Sequence, residues 1–288
     1  MIYYFMLLCA AALFSVQFLF QQRFEETYGT DLKSALVFSA GTGFGMGLIA
    51  LLIAAFTVGV SITVFSFAVS FVHGLASFLF VYFSLKALKY ANLSVFAVFS
   101  MLGGMLLPFF YGILFAPEKE PITIGKIVCC FLITVAVACT VTGDKKSNKK
   151  AYFYYIAVFV TNGMTSVCAS VHQNYPKMNV DSYSYTALAS IWLMVLGLIF
   201  LLFVKGEKRK LPAKAIFHMT GFSLCSGVGN IILMLALLVL DASIQFPYST
   251  GAAVVFSAII TIIMGDKMKK NEIVAVIIAF IATVAMMF

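Results

Sequence analysis

Long apolar runs alternate along the chain with short connections marked by charge, glycine, proline or asparagine. The runs fall at 3–20, 33–57, 62–85, 92–115, 122–141, 152–173, 184–204, 214–239, 243–264 and 271–287. Each is near the ~20 residues that a helix needs to cross a hydrocarbon layer of ~30 Å. None shows the ten-residue apolar–polar alternation of a membrane β-barrel, and closed barrels and helices are the two structures that satisfy the backbone in lipid. The pattern predicts an all-α integral membrane protein with ten transmembrane helices. Met1 to Ala11 has no basic segment and no small-x-small cleavage site follows the first run, so that run reads as a retained helix.

Composition agrees and adds an orientation. Of the 288 residues, 62% are hydrophobic and 10% charged, which excludes a sizeable soluble domain and any nucleic-acid-binding module. The net charge of +8 is unevenly placed, because sixteen of the 19 basic residues sit in connections 1-2, 3-4, 5-6, 7-8 and 9-10. Lys119, Lys126 and Lys177 are the three on the other side. Lysine and arginine gather in cytoplasmic loops, so both termini are expected outside, in the plasma membrane of the cell. The lysine clusters read as anchors beside anionic lipid. All six cysteines fall within spans, without metal or disulfide spacing.

Compared with itself, the chain repeats weakly. A shift of 151 aligns Tyr3-Tyr4 with Tyr154-Tyr155, Ser15-Val16 with Ser166-Val167 and Gln22 with Gln173, and a shift of 149 aligns Ala87-Leu88 with Ala236-Leu237, Ser94 with Ser243 and Ser100 with Ser249. Five spans per half is an odd number, so the second half, 148–288, is inverted relative to the first, 1–147, as in many transporters. Ala87-Leu88-Lys89-Tyr90-Ala91-Asn92 at the 3-4 turn, Pro108 within span 4, and Glu118 ahead of Ile122-Thr123-Ile124-Gly125 form a pattern that Ala236-Leu237, Ser243 and Gly265-Asp266 echo. In this the chain resembles the drug/metabolite transporter superfamily, in particular its EamA-like ten-helix members. It departs from them in having Asp266 for a second glutamate, Ser257 for a second proline, and Pro247 early in span 9. The resemblance also implies cytoplasmic termini, against which the charge distribution argues.

The acidic residues all lie in or beside connections, so the spans hold no central carboxylate of the kind that proton–cation antiporters use. His73, near the middle of span 3, is either a neutral histidine bonded between helices or a group that meets substrate and protons. Ser77 shares its face. Span 6 carries Asn162, Ser166, Ser170 and Gln173 as one stripe, and span 8 carries Ser223, Ser226, Gly227 and Asn230. Small polar residues also cement helices, but the amides of Asn162 and Asn230 are costly to leave unpaired in hydrocarbon and favour a cavity. Gln17, His73, Ser77, Asn162, Ser166, Asn230 and Tyr248 are the expected substrate contacts. Apolar parts of a substrate would meet Phe80, Phe99 or Phe246. Pro108 and Pro247 each remove a helical hydrogen bond and are the expected helix breaks and gates. His172 and His218 are expected near the membrane interfaces. Gly41-Thr42-Gly43-Phe44-Gly45-Met46-Gly47 reads as small-xxx-small helix packing through Gly41/Gly45 and Gly43/Gly47.

The family resemblance implies a secondary transporter that exports or exchanges a small neutral or zwitterionic, amino-acid-like metabolite by alternating access. A lipid-linked-sugar flippase and a nucleotide-sugar carrier are alternatives on the same fold. A membrane-embedded enzyme is the alternative of another class, and it would need an acid pair, an activated nucleophile or a metal cluster that the sequence does not display. The expected partners are a small-molecule substrate and the lipid bilayer, with proton coupling through His73 open, no nucleic acid, no cofactor or metal, and a monomer or homodimer.

Overall fold

The computed structural model describes residues 2–90, 93–115, 123–142, 149–175, 178–204, 210–240, 242–265 and 268–285. Asn92, Glu118, Lys145, Lys146 and Asp266 lie outside these. Among the described residues the regular elements are helices: α1 (Ile2–Tyr28), α2 (Leu32–Thr57), α3 (Val64–Leu88), α4 (Leu93–Phe115), α5 (Ile124–Thr142), α6 (Lys149–Asn174), α7 (Ser182–Phe203), α8 (Ala213–Leu237), α9 (Ala242–Ile263) and α10 (Lys270–Ala285). Eight of them, all but α5 and α10, are long and apolar enough to cross a membrane. Phe5, Phe44, Phe56, Phe131 and Phe203 are 60 to 86% exposed, an outer surface suited to lipid and ruinous in water. The protein is a multi-pass helical membrane protein.

Helix ends follow local chemistry. The polar run Gln21-Gln22-Arg23 led the sequence reading to end span 1 at residue 20, yet α1 continues to Tyr28. Phe24 and Tyr28 explain the extension, since they bury against Phe38, Leu85 and Phe222, while Arg23 and Glu26 pair at 2.7 Å on the exposed side. α3 starts at Val64 because the Thr63 side chain accepts the Ser66 N–H and fixes the N-cap. Asp181 does the same for α7, accepting from Tyr183 and Ser184 N–H. Between α2 and α3, Gly59 reverses the chain at φ 81°, a conformation that costs glycine little.

The most extensive contacts run between the two halves of the chain. α2 lies along α7, α1 along α8, and α6 against both α3 and α4, while α9 meets α1 and α4, and α5 pairs with α10. The glycine run in α2 serves two neighbours. A Cβ on Gly41 or Gly45 would strike Met219 or Ser223 of α8, and one on Gly43 would strike the backbone of Ser190 and Met194 of α7. Small residues at these places let the helices approach closely.

Candidate functional site

A cavity of about 1210 Å³, counting the open space at its mouth, lies among α1, α2, α3, α4, α6, α7, α8 and α9. Beside α1, α3, α6 and α8, which carry most of the expected contacts, the wall includes α2 through Met46, α7 through Tyr185, Thr186 and Ser190, and α4 and α9 through Gly104 and Phe246. Six of the expected contacts meet here: Gln17, His73, Ser77, Asn162, Ser166 and Asn230.

Tyr248 does not line the cavity, because its ring stands edge-on to Tyr4 in the α1/α9 contact at 5.4 Å. Phe80 and Phe246 do line it, while Phe99 stacks on Tyr155 instead. Pro108 and Pro247 lie inside continuous helices, so neither breaks its helix. Pro108 still acts locally, since it has no N–H to offer the carbonyl of Gly104 one turn earlier, and Gly104 is part of the cavity wall.

The polar groups are fixed by what they already bond. Asn162 Nδ2 donates to the Ser100 carbonyl of α4 at 2.7 Å, and Asn230 Nδ2 donates to the Ser226 carbonyl of its own helix at 2.8 Å. A carbonyl only accepts, so these bonds use amide N–H donors, and the Oδ1 atoms together with the second N–H of Asn162 are the groups these amides can offer a ligand. Gln17 is 7% exposed, and its buried Oε1 meets no partner among the described residues. His73 Nδ1 lies 3.0 Å from the Tyr185 hydroxyl. The expected stripe on α8 divides: Ser226 and Asn230 face the cavity, whereas Ser223 bonds Met219 and Thr42 carbonyls at the α2 seam.

Aromatic rings pack against one another toward the end where the basic connections lie. Phe18 meets Phe96 at 5.0 Å, Phe24 meets Phe38 at 4.6 Å, and Phe38 meets Phe222 at 4.9 Å. Below the cavity floor Gln21 Nε2 donates to Ser84 Oγ, joining α1 to α3.

At the opposite end His172, two residues from the end of α6, is fully buried within the protein, with its ring stacked on Tyr185 at 4.0 Å. Tyr185 itself escaped notice because Ser182-Tyr183-Ser184-Tyr185 looks like an ordinary aromatic belt, with nothing to single out the second tyrosine.

Neither a protein-family model nor a curated protein matches the chain. The fold is similar to that of a solved structure described only as "Crystal structure of protein", with a TM-score of 0.63 and 14% identity over 98% of this chain and 97% of that one. At that identity the likeness is one of fold.

Proposed function

We propose that the protein is a secondary transporter of the EamA-like kind, moving a small neutral or zwitterionic metabolite by alternating access between two inverted five-helix halves. The observation that carries this reading is the reciprocity of the packing around the cavity. Exchanging each helix for the one five places along turns α1·α8 into α6·α3, α4·α6 into α9·α1 and α2·α8 into α7·α3, all of which are contacts in the fold. The exchange maps α2·α7, α4·α9 and α5·α10 onto themselves, as contacts on a two-fold axis must.

Individual atoms support the same symmetry. A Cβ on Gly43 would meet Met194 N and Ser190 O, and a Cβ on Gly197 would meet Ala40 N and Leu36 O. Each of those residues is offset from its counterpart by 154. Likewise Ser15 Oγ donates to the Ala253 carbonyl, and Ser166, its equivalent by a shift of 151, lies beside Gly104, which is 149 before Ala253. Inverted repeats with a site between them are the usual plan of secondary transporters.

The lining sets the substrate class. His73 is the cavity's nitrogen base and among the described residues no Asp, Glu, Lys or Arg lines it, so a strongly charged ligand would find no countercharge there. Amide oxygens, hydroxyls and the faces of Phe14, Phe80, Phe222 and Phe246 suit a molecule with both donors and an apolar part. Purified protein in liposomes, screened for counterflow against a panel of amino acids, amines, sugars and nucleotide sugars, tests the reading. Saturable counterflow of a neutral or zwitterionic compound is expected, and none for any compound would overturn it.

A further inference from the structure

The two ends of the cavity are tied by equivalent residues of different chemistry. Gln21 of α1 and His172 of α6 are related by the shift of 151, and both are fully buried. Each bonds a serine of the same helix: Gln21 Nε2 donates to Ser84 Oγ, and His172 Nε2 lies 3.0 Å from Ser66 Oγ. Ser66 and Ser84 are five helical turns apart on α3, so they share one face. α3, which also carries His73 and Ser77, is thus strapped to α1 at one end and to α6 at the other.

One strap can take up a proton and the other cannot. The backbone N–H of Val180 donates to His172 Nε2 at 3.3 Å, and a backbone N–H is never an acceptor, so Nε2 is unprotonated and the neutral ring carries its hydrogen on Nδ1. Nδ1 is buried with no partner among the described residues. A proton added at Nε2 turns the acceptor into a donor. Val180 N–H then loses its partner, and Ser66 must rotate to accept.

Two π faces lie against the ring and attract a cation, since Tyr185 stacks on it at 4.0 Å and Phe65 lies nearly parallel at 6.3 Å. Titratable groups around it are Tyr185 and Asp181 from α7, His73 from α3, and Cys168 and Tyr175 on α6 itself. The α2–α3 connection, Val58 to Thr63, has no charge, and Lys177 lies outside the described residues. The same strap anchors both connections at this end, since Asn179 Nδ2 donates to the His172 carbonyl, Thr63 Oγ1 to the Met178 carbonyl, and Ser61 Oγ to Asp181 Oδ2.

We infer that His172 is a proton-binding site, and that its protonation unties α3 from the α6–α7 connection and opens the cavity at the end opposite the basic loops. The transporter reading is its premise, and it makes the proton the coupling ion through His172 rather than through His73. The link to substrate is short, because Tyr185 stacks on His172 while its hydroxyl meets His73 in the cavity wall. The strap at the basic end, Gln21 with Ser84, has no titratable member, so a proton acts on one gate only and the cycle acquires a direction.

Two measurements test this without any substrate. In lipid nanodiscs, ¹⁵N-histidine NMR of the wild type, assigned with His73→Gln and His218→Gln variants, reads the protonation of His172 directly. In a cysteine-free background, Thr186→Cys at the cavity wall reports opening through its rate of maleimide labelling, corrected for the pH dependence of a free thiol. The His172 signal is expected to titrate between about pH 4 and 7, with labelling about tenfold faster at the acid end and the same midpoint. His172→Gln should abolish that pH response, and His73→Gln should keep it. A His172 ring that does not titrate in this range, or labelling indifferent to pH, overturns the inference. If His172→Gln does not fold, Ser66→Ala removes the strap from the other side and should give fast labelling at every pH; slow labelling would count equally against it. Failure of counterflow for every compound, with these two results intact, would instead remove the transporter reading.

Discussion

Gly103 and Gly104 are neighbours on α4 whose replacement by alanine should have opposite consequences. At Gly103 the new Cβ would stand 2.0 Å from the carbonyl oxygen of Phe159 and 2.7 Å from its carbonyl carbon, both backbone atoms of α6. Carbon and oxygen need about 3.3 Å, so α4 and α6 must part by roughly 1.3 Å. A gap of ~1 Å forfeits up to half of the dispersion well along the seam, and overpacking of this kind costs about 2 to 3 kcal/mol. That corresponds to a fall in Tm of about 5 to 10 °C. At Gly104 the Cβ would meet Asn162 Nδ2 at 3.1 Å and Ser166 Oγ at 3.2 Å, side-chain ends that can yield by a few tenths of an ångström. Gly104→Ala should therefore melt within about 2 °C of the wild type, yet raise the half-saturation concentration for transport, because its methyl group intrudes on the cavity. Melting in detergent followed by size-exclusion recovery, with counterflow in liposomes, reads both effects. A Gly103→Ala protein as stable as the wild type, or a Gly104→Ala protein less stable than Gly103→Ala, would refute the packing on which this rests.

The amides separate in a similar way. Asn230→Ala, which loses only a bond within its own helix, should weaken substrate affinity without changing Tm, whereas Asn162→Ala should do both, since it unties α6 from α4; equal melting losses in the two would contradict the bonding described. Pro108→Ala gives Gly104 back its helical donor and is expected to raise Tm while slowing transport, so faster transport would argue against a role for the free carbonyl. For orientation, a lone cysteine at Asn148 should resist an impermeant thiol reagent in intact cells and one at Asn179 should react. The reverse pattern at both sites would place the basic loops outside.

Periodicity and charge make helix positions legible because every span must hide its backbone from lipid, and that need is written in length and apolarity alone. What lies beyond a span's polar edge is not. The extension of α1 to Tyr28 depends on Phe24 and Tyr28 finding Phe38 on another helix, a tertiary event that no local run announces. Six cavity residues were visible because amides and serines in hydrocarbon are rare enough to need a reason. Tyr248 misled for the opposite cause: a tyrosine has both an apolar body and a polar tip, and its ring satisfied itself against Tyr4. The burial of His172 is not legible in the sequence, because it depends on Asn179 and Val180 folding back onto it.

The largest contacts join the first and second halves of the chain, with α6 between α3 and α4 and α8 beside α1 and α2, so neither half completes its packing without the other. During synthesis the first five helices enter the bilayer before α6 exists, so α3 and α4 wait with Ser66 and the seam at Gly103 facing lipid. Assembly then begins in earnest only when α6 arrives and inserts between them. The order of the chain thus makes the middle of the protein, rather than either end, the point at which its folding is decided.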